Sequence, residues 1–435
     1  MNKLTDINKC SCCGRTHISH VKKVFIGSGC INRLSELVQD YKKVFILADE
    51  NTYAAAGEKV INEIKDSKVD FSEYIIQGKI IEPDERAVGS VIMHYDINCD
   101  LIIGIGSGVI NDIGKILSNT SGKPYVIVAT APSMDGYASA ASSMEVDGLK
   151  VSVPSKTPDF IIGDTDILKT APCKMLKSGL GDMLAKYISI CEWRIANLLL
   201  GEYYCEYVAG LVRDALKKCI DNADGLLKKD DAAIEAVFDG LVTCGMAMEY
   251  AGLSRPASGV EHYISHIWDM RGLAKGTSVE MHGIQCAVGT LVAAKIYEQV
   301  KKITPDREKA LNYVNNFDKD KWNKALLDFV GNGARVMILQ EEKEQKYDRG
   351  KHSERLKKII ANWDKILRII NEEIPSSAEI EKILDKIEAP KSCDEIGIGK
   401  DVLPMTFKAS KDIRDKYVLS RLCWDLGIID DIKYN

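Results

Sequence analysis

The chain has 435 residues, too many for one ordinary hydrophobic core, which predicts two domains with room for an elaboration. Hydrophobic residues make up 46% and charged residues 28%, the composition of a globular enzyme, and a formal net charge of -5 gives no field that would draw nucleic acid. No apolar run is long enough to span a bilayer, the opening MNKLTDINKC has no signal-peptide apolar region, and thirteen scattered cysteines read as reduced thiols, so a cytoplasmic protein without membrane contact is expected.

In chain order, short β-rich apolar runs at 24–27, 44–49, 71–76, 101–105 and 126–130 alternate with helix-period segments such as 31–38 and 57–64. That alternation predicts βαβ units and a mostly parallel sheet. Residues 143–153 then form two alternating runs joined by Asp147-Gly148, a hairpin signal. Beyond about Leu168 the apolar residues recur at helical spacing through 175–200, 203–219, 232–250 and 285–300. The expected architecture is an α/β dinucleotide-binding domain over 1–168 and an all-α domain over 169–435, with a small ligand in the cleft. Within the second, 340–387 is densely charged but carries an apolar stripe of Leu356, Ile359, Ile360, Trp363, Leu367 and Ile370, with Glu354 and Lys358 spaced for an i,i+4 pair. A peripheral helical pair is predicted there.

Two strand-to-helix turns compete for a nucleotide. One is Phe25-Ile-Gly-Ser-Gly-Cys-Ile-Asn32, with Asp49 at the end of the next strand; the other is Leu101-Ile-Ile-Gly-Ile-Gly-Ser-Gly-Val-Ile-Asn-Asp-Ile-Gly-Lys115. Glycines let a backbone approach a pyrophosphate, and a helix N-terminus offers free N–H groups and a favourable dipole. The second turn is the stronger because Ala129-Thr-Ala-Pro-Ser-Met-Asp-Gly-Tyr-Ala-Ser139 follows another buried strand, placing hydroxyls and amides at the carboxyl edge of the sheet. Asp49 reads either as a strand-end turn residue or as an acceptor for the adenosine ribose that would favour NAD over NADP.

Histidine is scarce, seven in all, yet His262, His266 and His282 fall close together, and Asp182 lies in Ser178-Gly-Leu-Gly-Asp-Met183. Two imidazoles and a carboxylate suit zinc, iron or nickel and leave positions open for substrate oxygens. Each member also has a plain reading, Asp182 as a helix-start acid and each histidine as a core residue. Spacing alone does not say which two of the three histidines ligate. His262 and His266, at i and i+4, are the simplest choice.

Over 22–432 the chain resembles the sn-glycerol-1-phosphate dehydrogenase family, within the iron-type alcohol dehydrogenase and dehydroquinate-synthase-like superfamily. The stretches that carry the resemblance are Gly104-Ile-Gly-Ser-Gly-Val-Ile-Asn-Asp112, Thr130-Ala-Pro-Ser-Met-Asp-Gly-Tyr-Ala-Ser139, Gly179-Leu-Gly-Asp-Met-Leu-Ala-Lys186, and Ser254-Arg-Pro-Ala-Ser-Gly-Val-Glu-His262 with Ser265-His266. The resemblance implies a dehydroquinate-synthase-like architecture, an N-terminal α/β nucleotide-binding domain followed by a helical one. It implies Asp182, His262 and His282 as ligands of one divalent metal, zinc or nickel foremost and iron as a third option, with His266 and Asp135 contacting substrate beside it. Gly108, Val109, Ile110, Asn111, Asp112, Thr130, Ala131, Pro132, Ser133 and Ser139 match contacts to NAD or NADP. The implied reaction is reversible reduction of dihydroxyacetone phosphate to sn-glycerol 1-phosphate by a homodimer, with His266 as a proton donor. Arg255 is the cation expected to hold the phosphate.

The alternatives are a polyol dehydrogenase acting on an unphosphorylated alcohol and a dehydroquinate-synthase-like cyclase that uses NAD only transiently. The leader Cys10-Ser-Cys-Cys13, with His17 and His20, contains zinc-ligand residue types but is short and terminal, and ordinary free thiols are the expectation there.

Overall fold

The computed structural model describes residues 6–146 and 149–434, so the expected Asp147-Gly148 turn lies outside the described residues. Among the described residues there are eight strands: β1 (Lys23–Gly27), β2 (Lys43–Asp49), β3 (Asp70–Ile76), β4 (Leu101–Gly106), β5 (Tyr125–Ala129), β6 (Ala141–Val146), β7 (Leu149–Pro154) and β8 (Phe160–Asp164). Six of them form one parallel sheet in the order β1-β8-β5-β4-β2-β3. β6 and β7 pair antiparallel as the expected ribbon. Near-continuous burial of β2, β4 and β5 is what strands covered on both faces require, and it explains their unbroken Val/Ile/Leu runs.

Every expected strand is present within a residue or so. β8 is not among the expected strands: the apolar run of Phe160-Ile-Ile-Gly-Asp164 is only three residues and ends in a turn-like Gly-Asp, yet the strand sits between β1 and β5 and ties the first strand into the sheet. The helix Glu85–His94 was also missed; it starts where the Asp84 side chain accepts from the Ala87 N–H at 2.7 Å. The segment expected at 57–64 begins earlier, as Glu50–Asp66.

The chain falls into two compact units that do not follow a single boundary after residue 168. The first comprises the residues up to Met183 together with Tyr207–Leu253. Its helix Asp231–Ala251, expected in the helical domain, packs on the sheet unit instead, with Phe238 edge-on to Tyr137 at 5.0 Å. A parallel sheet needs cover on both faces, and this helix supplies part of it.

The second unit comprises Leu184–Glu206 and the residues from Ser254 onward, and it is helical. The charged stretch forms not a pair but the successive helices Gly333–Glu344, Arg349–Ala361, Trp363–Glu373 and Ser377–Lys386. The predicted stripe breaks at Asn362, which resets the helical phase. Ile366, Ile369 and Ile370 become the buried residues of the next helix, while Trp363 and Leu367 are half-buried. Glu354 pairs with Lys357 at 2.6 Å instead of Lys358. No described helix is long and apolar enough to cross a membrane.

Candidate active site

The first glycine turn is already occupied by the protein itself. The buried Asp164 carboxylate, at the end of β8, accepts from the backbone N–H groups of Gly29 at 3.3 Å, Ile31 at 2.9 Å and Asp166 at 2.9 Å. A carboxylate seated on those amides takes the place a phosphate would need. Asp49 caps the helix Glu50–Asp66, its Oδ1 accepting from Asn51 at 2.8 Å and Thr52 at 2.9 Å in a reciprocal box with the Thr52 side chain.

The second turn runs from buried β4 into the helix Gly108–Ser121, and that helix has no side-chain cap. The Ser107 hydroxyl, which stands at the capping position, lies 2.6 Å from the Ser133 hydroxyl. First-turn N–H groups of a helix have no partner within it, so this end offers the amides and dipole an anion uses. Two of the glycines serve packing: a Cβ at Gly104 would come within 2.3 Å of the Tyr125 hydroxyl, and one at Gly114 within 2.4 Å. They bring the helix close against the strand.

The loop after β5 is held from beneath by Lys115, a fully buried residue that nothing in the sequence pattern distinguishes from an ordinary helix lysine. Its ammonium donates to Gly136 O at 3.2 Å, Ser139 Oγ at 3.1 Å and Ala141 O at 2.5 Å, and pairs with Asp112 at 3.0 Å. Asn111 donates to Gly136 O at 3.1 Å. Asp112 and Ser139 are therefore engaged with the loop's own support. Burial pushes the Asp112 carboxyl above the ordinary range, against the pull of Lys115.

From the other side the loop meets the helix Cys173–Leu184. Ser178 donates to Ser133 O at 2.9 Å, and a Cβ at Gly179 would fall 1.9 Å from the Pro132 carbonyl oxygen, so only glycine permits this approach. Asp182 accepts from the Asp135 N–H at 2.9 Å. Expected at the start of a helix, Asp182 is instead near the end of this one and wholly buried. A buried carboxylate needs hydrogen bonds or opposite charge around it, and the Asp135 N–H supplies one of these.

The histidines are carried by the helices Val260–Lys275 and His282–Val300. Gly289 lets them approach: a Cβ there would lie 2.8 Å from the Glu261 carbonyl oxygen. Ligand-type atoms of His262, His282 and Cys286 all lie within 4.8 Å of one another. His266 is not in that group, so the i,i+4 pair is not the one brought together; its ring centroid is 5.9 Å from that of His282 and 6.4 Å from that of His262. Cys286, four residues after His282 and with Sγ 3.6 Å from its Nε2, was not anticipated; the i,i+4 spacing was the available signal.

Glu261 accepts from His262 Nδ1 at 2.8 Å and from the Gly259 N–H at 2.7 Å. Such a bond fixes the tautomer with the proton on Nδ1, so that Nε2 is the nitrogen able to act as a ligand. Behind it, Glu192 accepts from the Val260 and Leu419 N–H groups at 3.0 and 2.7 Å. Burial and the neighbouring Glu261 charge raise the Glu192 carboxyl above its ordinary value. Ser265 Oγ stands 3.3 Å from His282 Nδ1, so it restrains the second imidazole as Glu261 restrains the first.

Arg255 does not serve as an open phosphate cation. It is 3% exposed, forked onto Glu202 at 2.9 and 2.7 Å, and donates to Tyr417 O at 2.8 Å.

A family model described as iron-containing alcohol dehydrogenase matches residues 25–172. Glycerol-1-phosphate dehydrogenase (NAD(P)+) of Halalkalibacterium halodurans is 30% identical over 342 residues, covering 77% of this chain and 86% of the relative. The enzyme of the same name from Bacillus subtilis is 27% identical over 418 residues, covering 95% of this chain and 92% of the relative. Among solved structures, glycerol dehydrogenase from Schizosaccharomyces pombe superposes with a TM-score of 0.61 at 17% identity, covering 94% of this chain and 89% of that one. Maleylacetate reductase from Agrobacterium tumefaciens gives 0.62 at 12%, covering 95% of each. These structural likenesses concern the fold.

Proposed function

The chain belongs to the glycerol-1-phosphate dehydrogenase family, and from that premise we propose that Asp182, His262 and His282 hold the divalent cation of an NAD(P)-linked reduction of dihydroxyacetone phosphate to sn-glycerol 1-phosphate. The reading rests on one observation above the others: two imidazoles and a thiol gather their donor atoms within 4.8 Å, with one imidazole already oriented by Glu261, and the buried Asp182 is the carboxylate that the family resemblance adds. Two nitrogens and an oxygen fit zinc, nickel or iron, and the Cys286 sulfur weighs further against hard ions such as magnesium.

Bound there, the cation supplies Lewis acidity toward the substrate's carbonyl oxygen, and the nicotinamide supplies the hydride that adds to the carbonyl carbon. The chain's own residues do the rest. The uncapped end of Gly108–Ser121, with Gly108, Val109 and Ile110, and the Thr130–Ala131–Pro132–Ser133 stretch of the following loop would hold the dinucleotide. Asn111, Asp112 and Ser139, with Lys115 beneath, hold that loop in shape. Asp49, with Oδ1 engaged in its cap, offers Oδ2 to a ribose hydroxyl. His266 gives the proton that the nascent alkoxide needs, and Asp135 positions a substrate hydroxyl.

Thirteen cysteines without a disulfide agree with a cytoplasmic enzyme, and the expected assembly is a homodimer, to be read by light scattering. The test of function is apo-protein reconstituted anaerobically with zinc, nickel or ferrous ion and assayed for NADH and NADPH oxidation. Turnover with dihydroxyacetone phosphate and little with dihydroxyacetone is expected. Preference for the unphosphorylated ketone would make it a polyol dehydrogenase, and turnover without net cofactor oxidation would make it a cyclase.

A further inference from the structure

We propose that Cys10, Cys12, Cys13 and Cys205 form a structural zinc site, separate from the active-site cation, which fastens the N-terminal segment to the start of the helix Glu206–Asp221. The sulfur atoms of Cys10, Cys12 and Cys13 lie within 4.8 Å of one another, Cys10 Sγ and Cys12 Sγ 3.4 Å apart, and Cys205 stands two residues before Tyr207, which reaches Cys12 through its backbone. A tetrahedral ion with Zn–S bonds of about 2.3 Å needs sulfur–sulfur edges of ~3.8 Å, so small side-chain adjustments suffice. All four are thiols, not disulfides.

The backbone around them is shaped for the purpose. Ile7 and His17 exchange both backbone hydrogen bonds at 2.8 Å, closing a small hairpin. At its tip the Gly14 N–H donates to Cys10 O and the Cys10 N–H to Arg15 O, each at 2.8 Å, and Gly14 adopts φ +71°, open to glycine without strain. This turn presents three sulfurs from four consecutive residues. Cys205, fully buried, arrives from the chain immediately before the helix at Glu206. From that helix's first turn the Tyr207 N–H donates to Cys12 Sγ at 3.5 Å. Helix N-termini favour thiolates, and a backbone N–H on sulfur orients a ligand as outer-shell bonds do around metals.

His17 anchors the hairpin from behind. It is wholly buried, with Nδ1 3.0 Å from Tyr250 O, Nε2 3.4 Å from Cys13 Sγ, and its ring stacked 6.2 Å from Tyr207. Four sulfur ligands leave no open position for a substrate, which makes the site structural rather than catalytic, and a soft all-thiolate set selects zinc among common divalent ions.

The test counts metal in the full-length protein purified without chelator. Wild type is expected to carry one zinc more per chain than Cys12→Ser, while Cys12→His, which keeps a four-ligand set, retains it. Zinc-edge absorption of Asp182→Ala, whose other site is impaired, should show four sulfur neighbours at about 2.3 Å. Equal zinc in wild type and a folded Cys12→Ser overturns the proposal, as does a disulfide among these cysteines in zinc-free protein or iron in place of zinc. The count is independent of turnover, so an inactive protein that carries the additional zinc leaves this site standing and contradicts only the dehydrogenase reading.

Discussion

Glu261 decides which nitrogen His262 presents. With Nδ1 engaged at 2.8 Å, Nε2 is the nitrogen assigned to the proposed cation, and that preorganisation is lost when the carboxylate becomes an amide. Glu261→Gln is expected to weaken metal affinity about 10- to 100-fold in chelator competition. Much of the activity should return at saturating metal; unchanged affinity would show that Glu261 does not orient the ligand. Gly179 acts by absence, since any Cβ there collides with the Pro132 carbonyl at 1.9 Å. Gly179→Ala should therefore push the 130–139 loop outward, raising KM for the nucleotide several-fold and lowering stability by roughly 1–3 kcal/mol in urea unfolding. The acid and the histidines were legible in the sequence because they are scarce residue types in close spacing. That His282 and not His266 gathers with His262 does not follow from spacing, because it depends on how the two helices face each other, and only the family resemblance points to it; neither Lys115 nor Cys286 stands out from ordinary helix residues.

The elements were legible where burial imposes a repetitive pattern. β2, β4 and β5 announce themselves as long apolar runs, whereas β8 offers only Phe160-Ile-Ile162 before Gly163-Asp164, and the 340–387 helices are disguised by charge. That charge is partly interior. Asp425, wholly buried, takes the Arg355 fork at 3.0 and 2.9 Å and the Tyr417 hydroxyl at 3.0 Å. Burial alone would raise its carboxyl; the guanidinium groups of Arg355 and Arg421 overcome this and hold it below the ordinary 3.8. A carboxylate depressed in the folded state stabilises fully above its unfolded value, and that contribution is lost as the pH falls below about 4. Asp425→Asn leaves buried cations without their anion and should cost about 3–5 kcal/mol at neutral pH. Its urea midpoint should also fall less than that of wild type between pH 5 and pH 3. An unchanged midpoint at neutral pH would show that the Arg355 pair carries no net stabilisation.

At the scale of the molecule, an α/β part and a helical part could be read from the change of period near residue 168. The excursion of Tyr207–Leu253 back to the sheet unit could not, because a helix covering a sheet and a helix within a bundle present the same apolar stripe. Activity is expected to vanish on treatment with a strong chelator and to return with added ion, in proportion to occupancy of the Asp182 group and not of the cysteine group; turnover persisting in fully metal-free protein would exclude metal-assisted reduction. The most direct test is an anomalous difference map of the reconstituted protein, recorded at the absorption edge of the activating ion. The expected result is a peak bonded by Asp182, His262 and His282; no peak there in an active protein, or one held instead by His262 and His266, would contradict the proposed centre.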